Sequence, residues 1–433
     1  MKRIESRSIN KLAEASMTAT PQSARFSVSL IMLIYGSLIG SYLPYLPFVK
    51  DRFGIGESAF SMGFLLGAIG ALASLPLAPW IIKKVGTRKA VLVMSLFYLS
   101  TVGFMMSAPS FALFLVLFLL VGLTISTWEI AVNSQASAIE DQIGKPVISS
   151  IHGFWSLGTF IGSAGMAGWL ALELNGLWLI WGLIVLSFLA LPRVYAGLLR
   201  REQIPAESAT DSPPLRLRYV FYPPLLAIAF YMIAGYMLEG TFQDWGSFLM
   251  RELVLGRGAE IVPERLWPTL PADEAALRRN AAVSGGIALA FFTAMMTVGR
   301  LAGDLMVARF GRAGTLQIGG VLAVLGIALA TMEDRSVLTY VGFALVGLGT
   351  ANIVPQVIKT ADTTPGLPPG VAISIITAVG FIAFLGGPVT IGFSGEHYGF
   401  RLTFLALAVF PLAMAVSAGL LLRWFERGRE REI

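Results

Sequence analysis

The chain of 433 residues has no cysteine, only two histidines, and charged residues at just 13% of its positions. Without thiols, disulfides, thiolate metal sites and cysteine nucleophiles are all excluded. His152 and His397 are far apart and the acids are dispersed, so no compact nucleophile, acid–base or metal cluster argues for a membrane-embedded enzyme. A Walker-type G-x-x-x-x-G-K-[ST] motif is also missing, so nothing indicates ATP as an energy source. The reading is therefore of a non-enzyme with no cofactor and no metal. A charge content about half that of an ordinary soluble domain means that water is not the main solvent of this chain.

Apolar residues make up 55% of the sequence. They fall into about twelve stretches, from residues 26–49 to 402–422, each near the roughly 20 residues a helix needs to cross hydrocarbon. The first 25 residues are polar and mixed in charge, with no apolar core leading to a cleavage site, so the first span is expected to be retained. With an even number of spans, both termini lie on one side. About 22 of the 32 Lys and Arg fall on that side, which the positive-inside rule makes cytoplasmic. The net charge of +6 is scattered over short loops rather than gathered in a stripe, so topology explains it and nucleic acid is not an expected partner.

A pattern occurs twice. Lys83-Lys84-Val85-Gly86-Thr87-Arg88-Lys89 follows one apolar run, and Ala308-Arg309-Phe310-Gly311-Arg312 follows another about 225 residues later. Val121-Gly122-Leu123 and Val346-Gly347-Leu348 repeat at the same offset, whereas Gly36 to Pro47 aligns with Gly235 to Ser247 at about 200. An insertion of about 25 residues after the seventh span reconciles the two offsets. The expected architecture is an all-α membrane protein of twelve helices in two pseudo-symmetric six-helix bundles, at 26–195 and 220–422. A cytoplasmic tail at 1–25, a Pro- and charge-rich solvated linker at 196–219, an outer insert at 251–280 and a tail at 423–433 complete it. The insert is read first as a tolerated surface loop and second as a lid over the outer mouth.

These residues resemble the major facilitator superfamily over nearly the whole chain. In that family the turn between helices two and three reads roughly G-x-x-x-D-R-x-G-R-R. Lys84, Gly86, Thr87 and Arg88 fall on its second half, with Lys83 at the acid position and Pro79 at the first glycine. The second copy keeps Arg309, Gly311 and Arg312 but places Ala308 where the acid is expected. A narrower resemblance, to the bacterial branch allied to fucose permeases, rests on three stretches: Trp128 to Gln135, Lys145 to Gly153, and Glu239-Gly240-Thr241-Phe242-Gln243-Asp244-Trp245. It implies a bacterial inner-membrane protein, a sugar-like or small polar organic solute, and a cavity lined by helices one, four, seven and ten.

An acid in a membrane helix costs about 2.5 to 3.5 kcal/mol on insertion scales, so each needs a reason. Glu239, near the middle of the seventh span, is the principal candidate for proton coupling; a structural hydrogen bond is its plainer alternative. Glu129 and Asn133 share a face of helix four, as Asn352 and Gln356 do on helix ten. The amides are candidate solute ligands, with Trp128, Tyr236 and Trp245 beside them. Glu129 is either a coupling acid or a surface residue that snorkels. Folding the hairpin about residue 142 brings His152 level with Asn133, where it is a proton-sharing candidate or a helix cap. Arg300 and Asp304, four apart, are expected to form a structural or gating ion pair, and Lys84, Arg88, Arg309 and Arg312 are the gating or structural charges of the two turns. The expected function is a secondary transporter that moves a small polar solute by alternating access, with protons and the bilayer as partners, and acts as a monomer. A proton-driven exporter of amphiphiles, using the many Phe and Met, is the second reading.

Overall fold

A computed structural model describes residues 19–145, 147–204, 222–332, 337–362, 364 and 371–430. The first 18 residues, most of the expected linker and the last three residues lie outside this set. Ten helices among the described residues are long and apolar enough to cross a membrane. Ile148–Ala171 and Val371–Tyr398 have the length to do so as well. The chain passes through six spans to Gly197, then through six more from Pro223.

Local chemistry sets the ends of the spans. Thr20, Ser110 and Asn175 use their side chains to accept from the first free backbone N–H groups of the helices that follow them. Proline stands in the first turn of both the first and the seventh spans, where its missing N–H costs nothing. Both of these spans also break at equivalent places. The first passes through the short 3-10 turn Leu43–Tyr45 into Leu46–Phe53, and the seventh changes direction at Trp245 into Gly246–Leu255.

The duplication is visible in the backbone. Gly86 (φ 81, ψ 153) and Gly311 (φ 69, ψ 172) sit in the two basic turns in a region that is essentially glycine-only. The two Val-Gly-Leu copies are close-packing points: a Cβ on Gly122 would run into the carbonyl of Gly67, and one on Gly347 into that of Phe292. Gly67 and Phe292 are themselves 225 positions apart. The same glycine therefore lets helix four approach helix two and helix ten approach helix eight.

Two element boundaries differ from the expectation. Helix six continues through Pro192 to Gly197, and the linker begins with a packed pair of leucines before Arg201 and Glu202 reach solvent. Leu198 and Leu199 are fully buried, and Gln135 bonds both the N–H and the carbonyl of Leu199, at 3.0 and 2.9 Å. The outer insert is shorter than its sequence suggested, because Gly246–Leu255 and Ala272–Leu301 are helical and leave only residues 256–271 as a connection.

The halves meet along the fifth and eighth spans and along the second and eleventh. On the side away from the termini the seam is sealed by aromatic pairs: Phe60 on Phe248, Phe64 on Trp245 and Phe48 on Trp267. Polar contacts join them there, including Ser58 N–H to the Glu396 carboxylate at 2.7 Å and Ser247 Oγ to the Leu43 carbonyl at 3.3 Å.

Candidate solute-binding and coupling site

Glu239 lies midway between Pro223 and Leu255, the two ends of the bent seventh span. Its carboxylate is three-quarters buried and is met by Arg300 at 2.9 Å and by the Gln243 amide, one turn on, at 3.2 Å. Arg300 stands in the last turn of Ala272–Leu301, the first helical segment of the eighth span, where the helix dipole favours a cation. Its other terminal nitrogen donates to Ser156 Oγ of the fifth span at 3.1 Å. One guanidinium thus joins an acid of its own half to a hydroxyl of the other, using the fork geometry that lysine lacks.

The expected Arg300–Asp304 pair is not formed. The eighth helix ends at Leu301, and Asp304 belongs to the first turn of the next helix, Gly303–Ala330, so the two residues no longer share one helical face. Asp304 is exposed, and the Arg300 guanidinium is taken by Glu239 and Ser156.

Across the seam, His152 Nε2 and Asn133 Oδ1 are 3.1 Å apart, linking the fourth and fifth spans. His152 is within electrostatic reach of Arg300, and Tyr236 is within reach of both Glu239 and Glu129. Glu129 is exposed and Asn133, His152, Tyr236, Glu239 and Arg300 are partly exposed, and the Arg300–Ser156 bond joins groups of the two halves in this polar cluster. Its chemistry is that of amide, imidazole, phenol, carboxylate and guanidinium, suited to binding hydroxyls, carbonyls and protons.

Other candidates are placed elsewhere. Trp128 is 1% exposed and stacks on Tyr35 at 3.8 Å, which in turn stacks on Tyr98 at 4.4 Å. Trp245 is fully buried among Phe64, Phe248 and Phe400. Both indoles are packing residues in this conformation and are closed to a solute. Asn352 is buried and donates to the Gly299 carbonyl at 2.9 Å, so it ties helix ten to the end of helix eight. Gln356 is also buried, and its side-chain oxygen accepts no hydrogen bond from the described residues. Arg88 bonds the Tyr195 carbonyl at 2.8 Å and lies over the Tyr195 ring, capping the end of helix six. Lys84 lies over Trp80 and Arg309 over Phe310, both exposed. Arg312 is partly exposed.

Sequence reasoning passed over Ser156, a single serine among small residues with nothing to mark it. It also passed over a buried charge group at the far end of the first span. There Lys50 meets Asp51 at 3.4 Å and Glu57 at 2.7 Å, and Arg251 meets Asp51 at 2.7 Å. Its sequence signal was available: two adjacent charges just before a span ends, facing an Arg 200 positions later.

This geometry defines a class. Among the described residues, two repeated halves of six spans each form a transporter fold, and the Major Facilitator Superfamily model matches residues 28–263. The chain belongs to that superfamily, and it is a transporter rather than an enzyme. It is 27% identical over 397 residues to an uncharacterised MFS-type transporter of Yersinia pestis, covering 92% of this chain and 95% of the relative. An uncharacterised transporter of Sinorhizobium fredii is 28% identical over 397 residues, covering 90% and 96%. The membrane protein MosC of Rhizobium meliloti is 23% identical over 406 residues, covering 93% and 90%. Among solved structures, the nucleoside transporter NupG superposes with a TM-score of 0.70 at 14% identity, over 92% of this chain and 99% of that one. A bacterial homologue of the human lysosomal transporter Spinster superposes with a TM-score of 0.62 at 11% identity, over 94% and 98%. These two likenesses concern the fold.

Proposed function

We propose that this protein is a proton-coupled secondary transporter of a small polar organic solute, working by alternating access with Glu239 as the coupling acid. The observation that carries the reading is the Glu239–Arg300–Ser156 bridge, an acid held by a cation that also grips the opposite half. When a proton neutralises Glu239, the ion pair is lost and Arg300 is free to engage the solute or to release Ser156; deprotonation restores the bridge. His152, Asn133, Glu129 and Tyr236 supply the neighbouring ligands.

The resemblance to the branch allied to fucose permeases supports a sugar-like solute. The distribution of Lys and Arg supports cytoplasmic termini in a bacterial inner membrane. On that orientation the sealed side is periplasmic. An exporter of amphiphiles would need Phe and Met around Glu239, whereas the side chains that meet the Glu239 carboxylate are Arg300 and Gln243.

The test is flux of candidate solutes, beginning with neutral monosaccharides and nucleosides, into right-side-out and inside-out vesicles with and without an imposed pH gradient. Accumulation of a polar solute that collapses with the gradient supports the reading. Gradient-independent equilibration of every accepted solute overturns the coupling, and acceptance of amphiphiles alone overturns the solute class.

A further inference from the structure

Among the described residues, the connection after the seventh span breaks the repeat and carries cross-half contacts on the sealed side. In the first half, residues 54–56 suffice to connect the first span to the second, whereas the corresponding connection in the second half is residues 256–271. Within it, Trp267 lies on the 3-10 turn Glu264–Thr269 and rests its ring on Phe48 of the opposite half, with centroids 5.0 Å apart. Its indole N–H donates to the Val262 carbonyl at 3.0 Å, which fixes the ring within its own segment and leaves the aromatic surface for Phe48. An ion pair crosses the seam at each end of this stretch: Arg251 to Asp51 at 2.7 Å before it and Arg279 to Glu173 at 2.6 Å after it.

The segment is anchored to the second half. Arg278, 6% exposed, bonds the Glu260 carbonyl at 3.0 Å and the Glu274 carboxylate at 2.8 Å, and Arg257 donates to the His397 carbonyl. On the receiving side, Asp51 is 5% exposed and is backed by the fully buried Lys50. Both ion pairs that join Arg251 and Arg279 to the first half would have to break before this face could open.

We propose that residues 256–271, with Arg251 and Arg279 flanking them, form a clasp. It belongs to the second half, engages Phe48, Asp51 and Glu173 of the first, and biases the resting transporter toward the conformation open on the side of the termini. It takes up the second reading of the insert, a lid over the outer mouth, rather than the first, a tolerated surface loop. The clasp rests on alternating access alone and is independent of the coupling ion and the solute.

The absence of native cysteine makes the test direct. One reporter is Ser61→Cys, fully buried in the second-to-eleventh-span seam of the sealed face. The other is Ser137→Cys, exposed on helix four at four residues from Asn133 and nearer the terminal face. Each is labelled with a water-soluble maleimide in open membrane fragments, where both faces meet the reagent. Trp267→Ala and, separately, Arg251→Gln are expected to raise the labelling rate at Ser61→Cys by about tenfold and to lower it at Ser137→Cys, since the faces open in turn. Unchanged labelling at both sites overturns the clasp. So does a rise at Ser61→Cys alone, which would report a local hole, or a rise at both, which would report a loosened bundle. Gly286→Trp is the independent wedge, because any side chain there meets Ser163 and Ala167 across the fifth-to-eighth-span seam. If the wedge shifts the two reporters reciprocally and the clasp variants do not, the clasp alone fails. If the wedge also fails to do so, alternating access fails with it.

Discussion

Arg300 holds Glu239 at 2.9 Å and, through its other terminal nitrogen, Ser156 of the opposite half at 3.1 Å. Protonation of one carboxylate can therefore be felt at the interface between the halves with no intermediary beyond a single side chain. Glu239→Gln keeps the shape and a hydrogen-bond acceptor but removes the titration. It is expected to abolish accumulation driven by a pH gradient by more than about tenfold while leaving solute exchange within about threefold, as for loss of coupling rather than loss of binding. Counterflow and gradient-driven uptake measured on the same vesicles decide this, and equal loss in both would assign Glu239 to binding instead.

Arg300→Lys retains the charge but not the fork, and an ammonium cannot reproduce two divergent bonds in fixed geometry. Uptake should fall by about tenfold or more, the equivalent of one charge-assisted hydrogen bond. Adding Ser156→Ala to this variant should cost little further, because the bond to Ser156 is already gone. A full additional loss would show that Ser156 acts independently of Arg300.

Trp245 separates packing from solute binding. It is fully buried, with Phe248 at 4.8 Å, Phe64 at 5.4 Å and Phe400 at 5.5 Å between ring centroids. Trp245→Ala should lower stability by about 3 to 5 kcal/mol, as large-to-small changes at buried aromatics do, and Trp245→Phe should recover most of it. Thermal unfolding of the purified protein reports the loss. A large change in apparent solute affinity with unaltered stability would return Trp245 to the binding site.

Much of this was legible from local sequence. The spans follow from long apolar runs, and the repeat follows from two short motifs at one offset. His152 meets Asn133 because both lie on one hairpin, whose fold about residue 142 sets them side by side. What could not be read is where long side chains reach. Arg300 and Asp304 have the spacing of a pair, yet the helix break at Ala302 separates them and Arg300 turns to Glu239, 61 positions away. Trp128 and Trp245 have the residue type of a stacking platform, but their neighbours Tyr35, Phe64 and Phe400 come from other spans and cover them.

The His152–Asn133 contact distinguishes a cleft residue from a helix-opening cap. Single replacements His152→Ala and Asn133→Ala should each raise the solute KM, and the double replacement should cost less than the product of the two. The shortfall should be about 0.5 to 1.5 kcal/mol, the range for one hydrogen bond in a double-mutant cycle. A cap with no part in binding would lower thermal stability and leave KM unchanged in all three variants.

The paired glycines test whether the two halves share one packing solution. A Cβ at Gly122 collides with a backbone carbonyl, and backbone cannot swing aside as a side-chain tip does; Gly347 meets the same obstacle 225 positions on. Gly122→Ala and Gly347→Ala should therefore each destabilise by about 1 to 3 kcal/mol, the usual range for overpacking, although alanine is otherwise the better helix former. Gly165→Ala is the control, since nothing lies within reach of its added carbon and helix propensity should make it neutral or mildly stabilising. Thermal unfolding of the three proteins in one detergent reads the difference. If Gly122→Ala and Gly347→Ala behaved like the control, the close helix approach in each half would not be what these glycines provide, and the repeated Val-Gly-Leu would lose its structural meaning.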